Sequence, residues 1–104
     1  MLIAFQVTLQ LVHEVRPVVA KIRQHDSKLA KQLVDAINSA GQNISEGERK
    51  RGGDRRHAFD IASGEANEAR GSLLLAVAWG WIDEDTPALA TVDRLNALLW
   101  GLTH

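Results

Sequence analysis

Residues 29–62 read LAKQLVDAINSAGQNISEGERKRGGDRRHAFDIA, and this stretch decides the fold. Before the glycine pair, Leu29, Leu33, Ala36, Ile37, Ala40 and Ile44 recur at helical spacing and make one apolar stripe. Gly52-Gly53-Asp54 interrupts that pattern and supplies a possible helix cap. Beyond it a second helical stripe begins, running through Ala58, Ile61, Ala62, Ala69, Ser72, Ala76 and Trp79. Two long helices joined by so short a break form a helical hairpin. Alanine dominates both facing stripes, so the two backbones should approach closely, with Gly47 in mid-face allowing the contact.

Outward from this hairpin, the pattern repeats on both sides. Upstream, Leu11, Val15, Val18 and Ile22 form one stripe, and Phe5, Leu9, Val12 and Val19 form a second beside it. Pro17 falls inside this helix and should kink it or leave a gap in its ladder. Asp26-Ser27 can cap the next helix. Downstream, Asp83-Glu84-Asp85-Thr86-Pro87 ends one helix and starts another, with Thr86 as N-cap and Pro87 at the first helical position. Leu89, Val92, Leu95, Leu99 and Leu102 then make the final stripe. The spacing predicts helices over 3–24, 27–50, 54–81 and 87–102. The fold expected is all-α, an antiparallel up-down-up-down four-helix bundle, with residues 1–104 as one domain.

Composition narrows the function classes. The 104 residues are 45% hydrophobic and only 5% aromatic, and the formal net charge of −1 gives no global field for polyanions. Without cysteine there are no disulfides, thiolate metal sites or cysteine nucleophiles. No stretch approaches the roughly 20 apolar residues of a membrane span. No basic segment precedes Leu2 as it would in a secretory leader, so a cytoplasmic location is expected. The first and last helices carry more apolar surface than one bundle core can bury. Burial against further copies of the chain accounts for the surplus, through Phe5, Leu9, Val12, Leu98 and Trp100.

The most function-like feature is basic. Arg49, Lys50, Arg51, Arg55 and Arg56, followed by His57, surround the glycine turn. Residues 1–57 hold ten basic and six acidic side chains, net +4, while 58–104 hold two and seven, net −5. In the expected bundle the basic turn lies at the end that holds both termini, and a symmetric oligomer would repeat it around one rim to meet phosphates. No aromatic that would be exposed falls within the cluster, so base stacking is not indicated. Glu65 and Glu68 fall on or near the third helix's core face, where a carboxylate needs a partner. A polar network with Ser39, Asn43 and Glu46 would provide one. No glutamate has histidine three residues later, and His13, His25, His57 and His104 are scattered, so neither a metal nor another cofactor is expected. Trp79, Trp81 and Trp100 are read as core or subunit packing, with no small-molecule substrate evident. Gly-x-Ser-x-Gly and Gly-x-x-x-x-Gly-Lys do not occur, which removes serine-hydrolase and phosphate-loop readings.

Two resemblances follow. Ser39, Asn43, Ile44, Glu46 and Gly47, then Ile61, Ala62, Gly64 and Glu68, then the Gly80-Trp81-Ile82 exit, resemble the four-helix-bundle proteins encoded in intervening sequences of bacterial large-subunit rRNA genes. The accessory variability proteins of diversity-generating retroelements are related to them. Three departures stand out: Glu65 replaces a serine, Phe59 lies closer to the Ile-Ala pair than is usual, and this chain lacks the strong basicity of the retroelement proteins. The resemblance implies a ring-like homopentamer without established catalytic activity. It is compatible with an accessory factor for RNA, DNA or a nucleic-acid-bound protein, and equally with a purely structural assembly protein. Separately, Arg51 and His57 resemble the Arg-x(4–6)-His element of HEPN ribonucleases, in which histidine acts as acid/base and arginine holds phosphate. Here that element spans a glycine turn rather than a helix start.

Overall fold

The computed structural model describes residues 1–104, which form four helices and no strand. They are α1 (Ile3–His25), α2 (Ser27–Arg49), α3 (Gly52–Ala78) and α4 (Pro87–Thr103). Only Asp26 separates α1 from α2, and its carboxylate accepts the Leu29 N–H at 2.9 Å, capping the second helix. Thr86 caps α4 by accepting from the Ala88 N–H, with Pro87 in the first turn. Pro17 lies on the solvent side of α1, where the carbonyl it leaves unpaired is open to water, and the helix continues through it.

Both ends of α3 differ from the sequence expectation. It begins at Gly52, two positions before Asp54, because Gly52 turns the chain at φ +59. Asp54 therefore sits in the first turn, against the positive end of the helix, rather than capping it. The other end stops at Ala78, three residues early. Gly80 adopts φ +78, its N–H bonds the Val77 carbonyl, and the Trp81 N–H bonds that of Ala76. This is a glycine-centred Schellman ending. Trp79 consequently leaves the core stripe and is 69% exposed. It stacks on Trp81 at 5.6 Å, and Trp81 stacks in turn on His25 at 5.2 Å.

Each helix packs against two others, α1 and α3 both against α2 and α4, with α2 and α3 the most intimate pair. Leu11, Ile22, Leu33, Ile44, Phe59, Leu73, Leu95 and Leu99 fill the centre. On α3 the buried face is Ala58, Phe59, Ala62, Ala66, Ala69, Ser72, Leu73 and Ala76. Five of the seven expected positions are in it, and Phe59, Ala66 and Leu73 take the place of Ile61 and Trp79. Ile61 is surface-exposed, and Glu65 lies half-buried at the edge facing α2 rather than in mid-face. Alanines flank the α3 core on both sides, so apolar spacing alone gives its face poorly. At Gly47 the Phe59 ring packs directly on the α2 backbone, and an added Cβ would stand 2.7 Å from it. No helix is long and apolar enough to cross a membrane.

Candidate functional site

The α2–α3 turn divides its cations into two sets. Arg49 and Lys50 both pair with Glu46, at 2.9 and 3.3 Å. The Arg49 hydrogen bond, then that from Lys50, holds the Glu46 carboxyl below its ordinary range. Arg55 folds back on the protein, donating to the Gly47 carbonyl at 3.2 Å, with its guanidinium 4.8 Å from the Phe59 ring centroid. Arg51 and Arg56 form no ion pair or side-chain hydrogen bond and project as exposed cations, and the His57 side chain is exposed beside them. Arg51 also occupies the N-cap of α3 without capping it by its side chain. The first N–H groups of a 27-residue helix therefore lie open beside two unpaired arginines.

Further elements gather at this end. The Leu2 N–H donates to the Glu48 carboxylate, which brings the start of α1 to the end of α2. Gly52, Arg55 and Arg56 share a concavity of about 310 Å³ with Gly101, Leu102, Thr103 and His104 at the end of α4. Trp100, 62% exposed, lies against His104 with ring centroids 3.4 Å apart. Arg51 and His57, the pair of the ribonuclease reading, do not line this concavity. The acidic Asp83-Glu84-Asp85 segment follows the far end of α3, where Asp83 and Asp85 share a concavity with Lys21 of α1.

The expected polar network is divided. Asn43 donates to the Ser39 carbonyl and hydroxyl within α2, and Glu46 is engaged by the basic turn. Ser39, Glu65 and Glu68 line a groove of about 600 Å³ between α2 and α3, together with Asp35 and Leu75. No hydrogen bond joins either glutamate to Ser39 or Asn43; Asn43 bonds within α2, Glu65 is half-buried and Glu68 is exposed. Nowhere do three or more histidine, aspartate or glutamate side chains converge as a metal would need. Partial burial first, then the Glu68 charge and hydrogen bond, raises the Glu65 carboxyl above its ordinary value of 4.5. A raised carboxylate pKa lowers stability progressively as pH climbs through the interval above 4.5. Glu65→Gln is therefore expected to raise the melting temperature slightly at neutral pH. The gain should shrink toward pH 4, as thermal melts across pH will show, and solvent screening keeps it small.

The five residues expected at a subunit interface separate. Phe5, Leu9 and Val12 line a groove of about 450 Å³ with Ile37 and Gly41 of α2. It continues into a second groove of about 350 Å³ along Val12, Val15, Val19 and Val34. Leu98 is half-buried against the core, and Trp100 stands apart on α4. Leu74 and Leu75 add exposed apolar surface that the sequence reading did not single out. Their place in the leucine run beside Gly80 was the available signal.

The crystal structure of a protein of unknown function from the S23 ribosomal protein family of Bacteroides thetaiotaomicron has the same fold. The two chains are 21% identical, with a TM-score of 0.87 over 97% of this chain and 98% of that one. No curated protein matches the sequence. The profile of the 23S rRNA-intervening sequence proteins matches residues 1–101. With its four helices packed as a bundle and its sequence matched nearly end to end, this chain belongs to the 23S rRNA-intervening sequence protein family.

Proposed function

We propose that the chain is a non-catalytic, self-assembling subunit that binds nucleic-acid phosphates through the α2–α3 turn, as an accessory factor in the bacterial cytoplasm. The observation that carries this reading is the pair of unpaired arginines, Arg51 and Arg56, at the uncapped start of α3. A helix start offers N–H donors and a positive dipole end to an anion, and adjacent guanidinium groups add charge and forked geometry. An antiparallel up-down-up-down course supports it. Leu2 meets Glu48, Arg70 meets Asp93 at 2.7 Å, and the start of α3 meets the end of α4. The exposed apolar groove along α1 supports assembly, and a ring, the pentamer implied by the sequence resemblance, would repeat the turn around one rim. The family's name and its relative's both refer to the ribosome or its RNA, which makes rRNA the first ligand to try.

The test is equilibrium binding of a labelled 23S rRNA fragment to the native protein and to Arg51→Glu/Arg56→Glu. Reversing both charges is expected to weaken binding by about two orders of magnitude or more, since each phosphate contact is lost and replaced by repulsion. Arg49→Ala/Lys50→Ala should weaken it far less, because Glu46 already occupies both cations. Undiminished binding by the charge-reversed protein would overturn the proposal.

A further inference from the structure

Folding places an aromatic beside the basic turn that the chain order keeps far from it. Trp100 lies on the face of α4 that looks toward α3. Asp93, two helical turns earlier on the same face, reaches Arg70 of α3 at 2.7 Å. Toward its C-terminal end this face carries Trp100 and then His104, whose rings stack at 3.4 Å and 15°. His104 in turn lines the concavity that holds Arg56 and Gly52. One face of the indole is covered by the imidazole, and the ring as a whole remains 62% exposed. The cluster itself holds no exposed aromatic, Phe59 being fully buried, and Trp100 comes from α4.

The surroundings of Trp100 are unlike those of a subunit contact. Its recorded partner is His104, which lines the concavity with Arg55 and Arg56, and the same α4 face carries the Arg70–Asp93 pair two turns earlier. The exposed apolar groove of Phe5, Leu9 and Val12 lies between α1 and α2, on the other side of the bundle. An exposed aromatic backed by His104, whose concavity also holds the unpaired Arg56 and Gly52 at the start of α3, matches the two requirements of single-strand recognition, a stacking surface and a phosphate track. Duplexes keep their bases stacked internally and could use only the second.

We propose that Trp100, backed by His104, stacks on an unpaired base of a single-stranded nucleic acid whose phosphates lie along Arg56 and the start of α3. This rests on the reading that the basic turn binds nucleic acid, and it narrows that ligand to single strands. The test uses the assembled protein with fluorescein-labelled oligoadenylate and the same strand paired with oligouridylate. The single strand is expected to bind about tenfold tighter than the duplex at equal salt. Trp100→Ala and Trp100→Leu should each erase about that tenfold, leaving duplex affinity, salt dependence and mass in solution unchanged. With Trp79 and Trp81 at the other end changed to phenylalanine, oligoadenylate should quench the remaining tryptophan emission.

If oligoadenylate affinity survives Trp100→Ala while Arg51→Glu/Arg56→Glu abolishes it, the stacking role is wrong and the basic rim stands. A fall in assembly mass on Trp100→Ala would instead make it a subunit contact and overturn the proposal. Failure of the native protein to bind either probe removes the rim reading and the platform together.

Discussion

Phe59→Ala is expected to destabilise the bundle by about 3–5 kcal/mol, the largest stability loss of any single substitution considered. The ring is fully buried, packs against Gly47 of α2, and is covered by the Arg55 guanidinium at the basic end. Its removal leaves a cavity that the neighbouring helices cannot close without moving the turn. Chemical denaturation will measure the loss. Gly47 provides an internal control, because its lack of a Cβ leaves the space the ring fills. Gly47→Ala should cost about 1–3 kcal/mol in the native background, by overpacking. On the Phe59→Ala background most of that cost should vanish, since the atom it strikes is gone. Equal costs in both backgrounds would mean that the ring does not set the helix spacing.

Leu9→Asp/Val12→Asp is expected to have the largest effect on assembly. Both positions are exposed within one chain and line the continuous groove between α1 and α2. A single subunit should tolerate the change with a near-native melting curve. Across an interface each unpaired carboxylate costs about 3–5 kcal/mol, enough at two sites to shift association by several orders of magnitude. Sedimentation should then report an 11.4 kDa particle where the native chain gives a multiple of it. A native chain that sediments at one subunit mass would defeat the assembly reading outright.

Much of this architecture could be read from the residues. Asp26, Thr86 and Pro87 mark helix boundaries with chemistry that has few other uses, and the glycine pair marks the hairpin. Gly47 was identifiable as a contact, although not its partner Phe59. The end of α3 was harder, because Leu73 through Trp81 is apolar throughout and only the positive φ of Gly80 separates helix from exit. The edges of its face were hard for a related reason. Ala58, Ala62, Ala69, Ser72 and Ala76 are buried as expected, but alanine is small enough to sit at a helix edge, so Ile61 and Trp79 looked as good as Phe59, Ala66 and Leu73.

At the candidate site, charge was visible and availability was not. Five cations in one turn look equivalent in sequence, yet Glu46 takes two and Phe59 with the Gly47 carbonyl takes a third. What remains is Arg51 and Arg56 at an open helix start, with Trp100 supplied from the other end of the chain. Such a division depends on which side chains meet in space, and spacing along one helix does not contain it.

The central claim is that phosphate charge on an RNA is neutralised by the basic turns of an assembled protein. Its most direct test is the affinity of the native assembly for single-stranded RNA measured across monovalent salt concentrations. A log–log slope of about −2 or steeper is expected, corresponding to about three or more phosphates, falling toward zero in Arg51→Glu/Arg56→Glu. A flat salt dependence in the native protein, or a slope unchanged by reversing those two arginines, would contradict it.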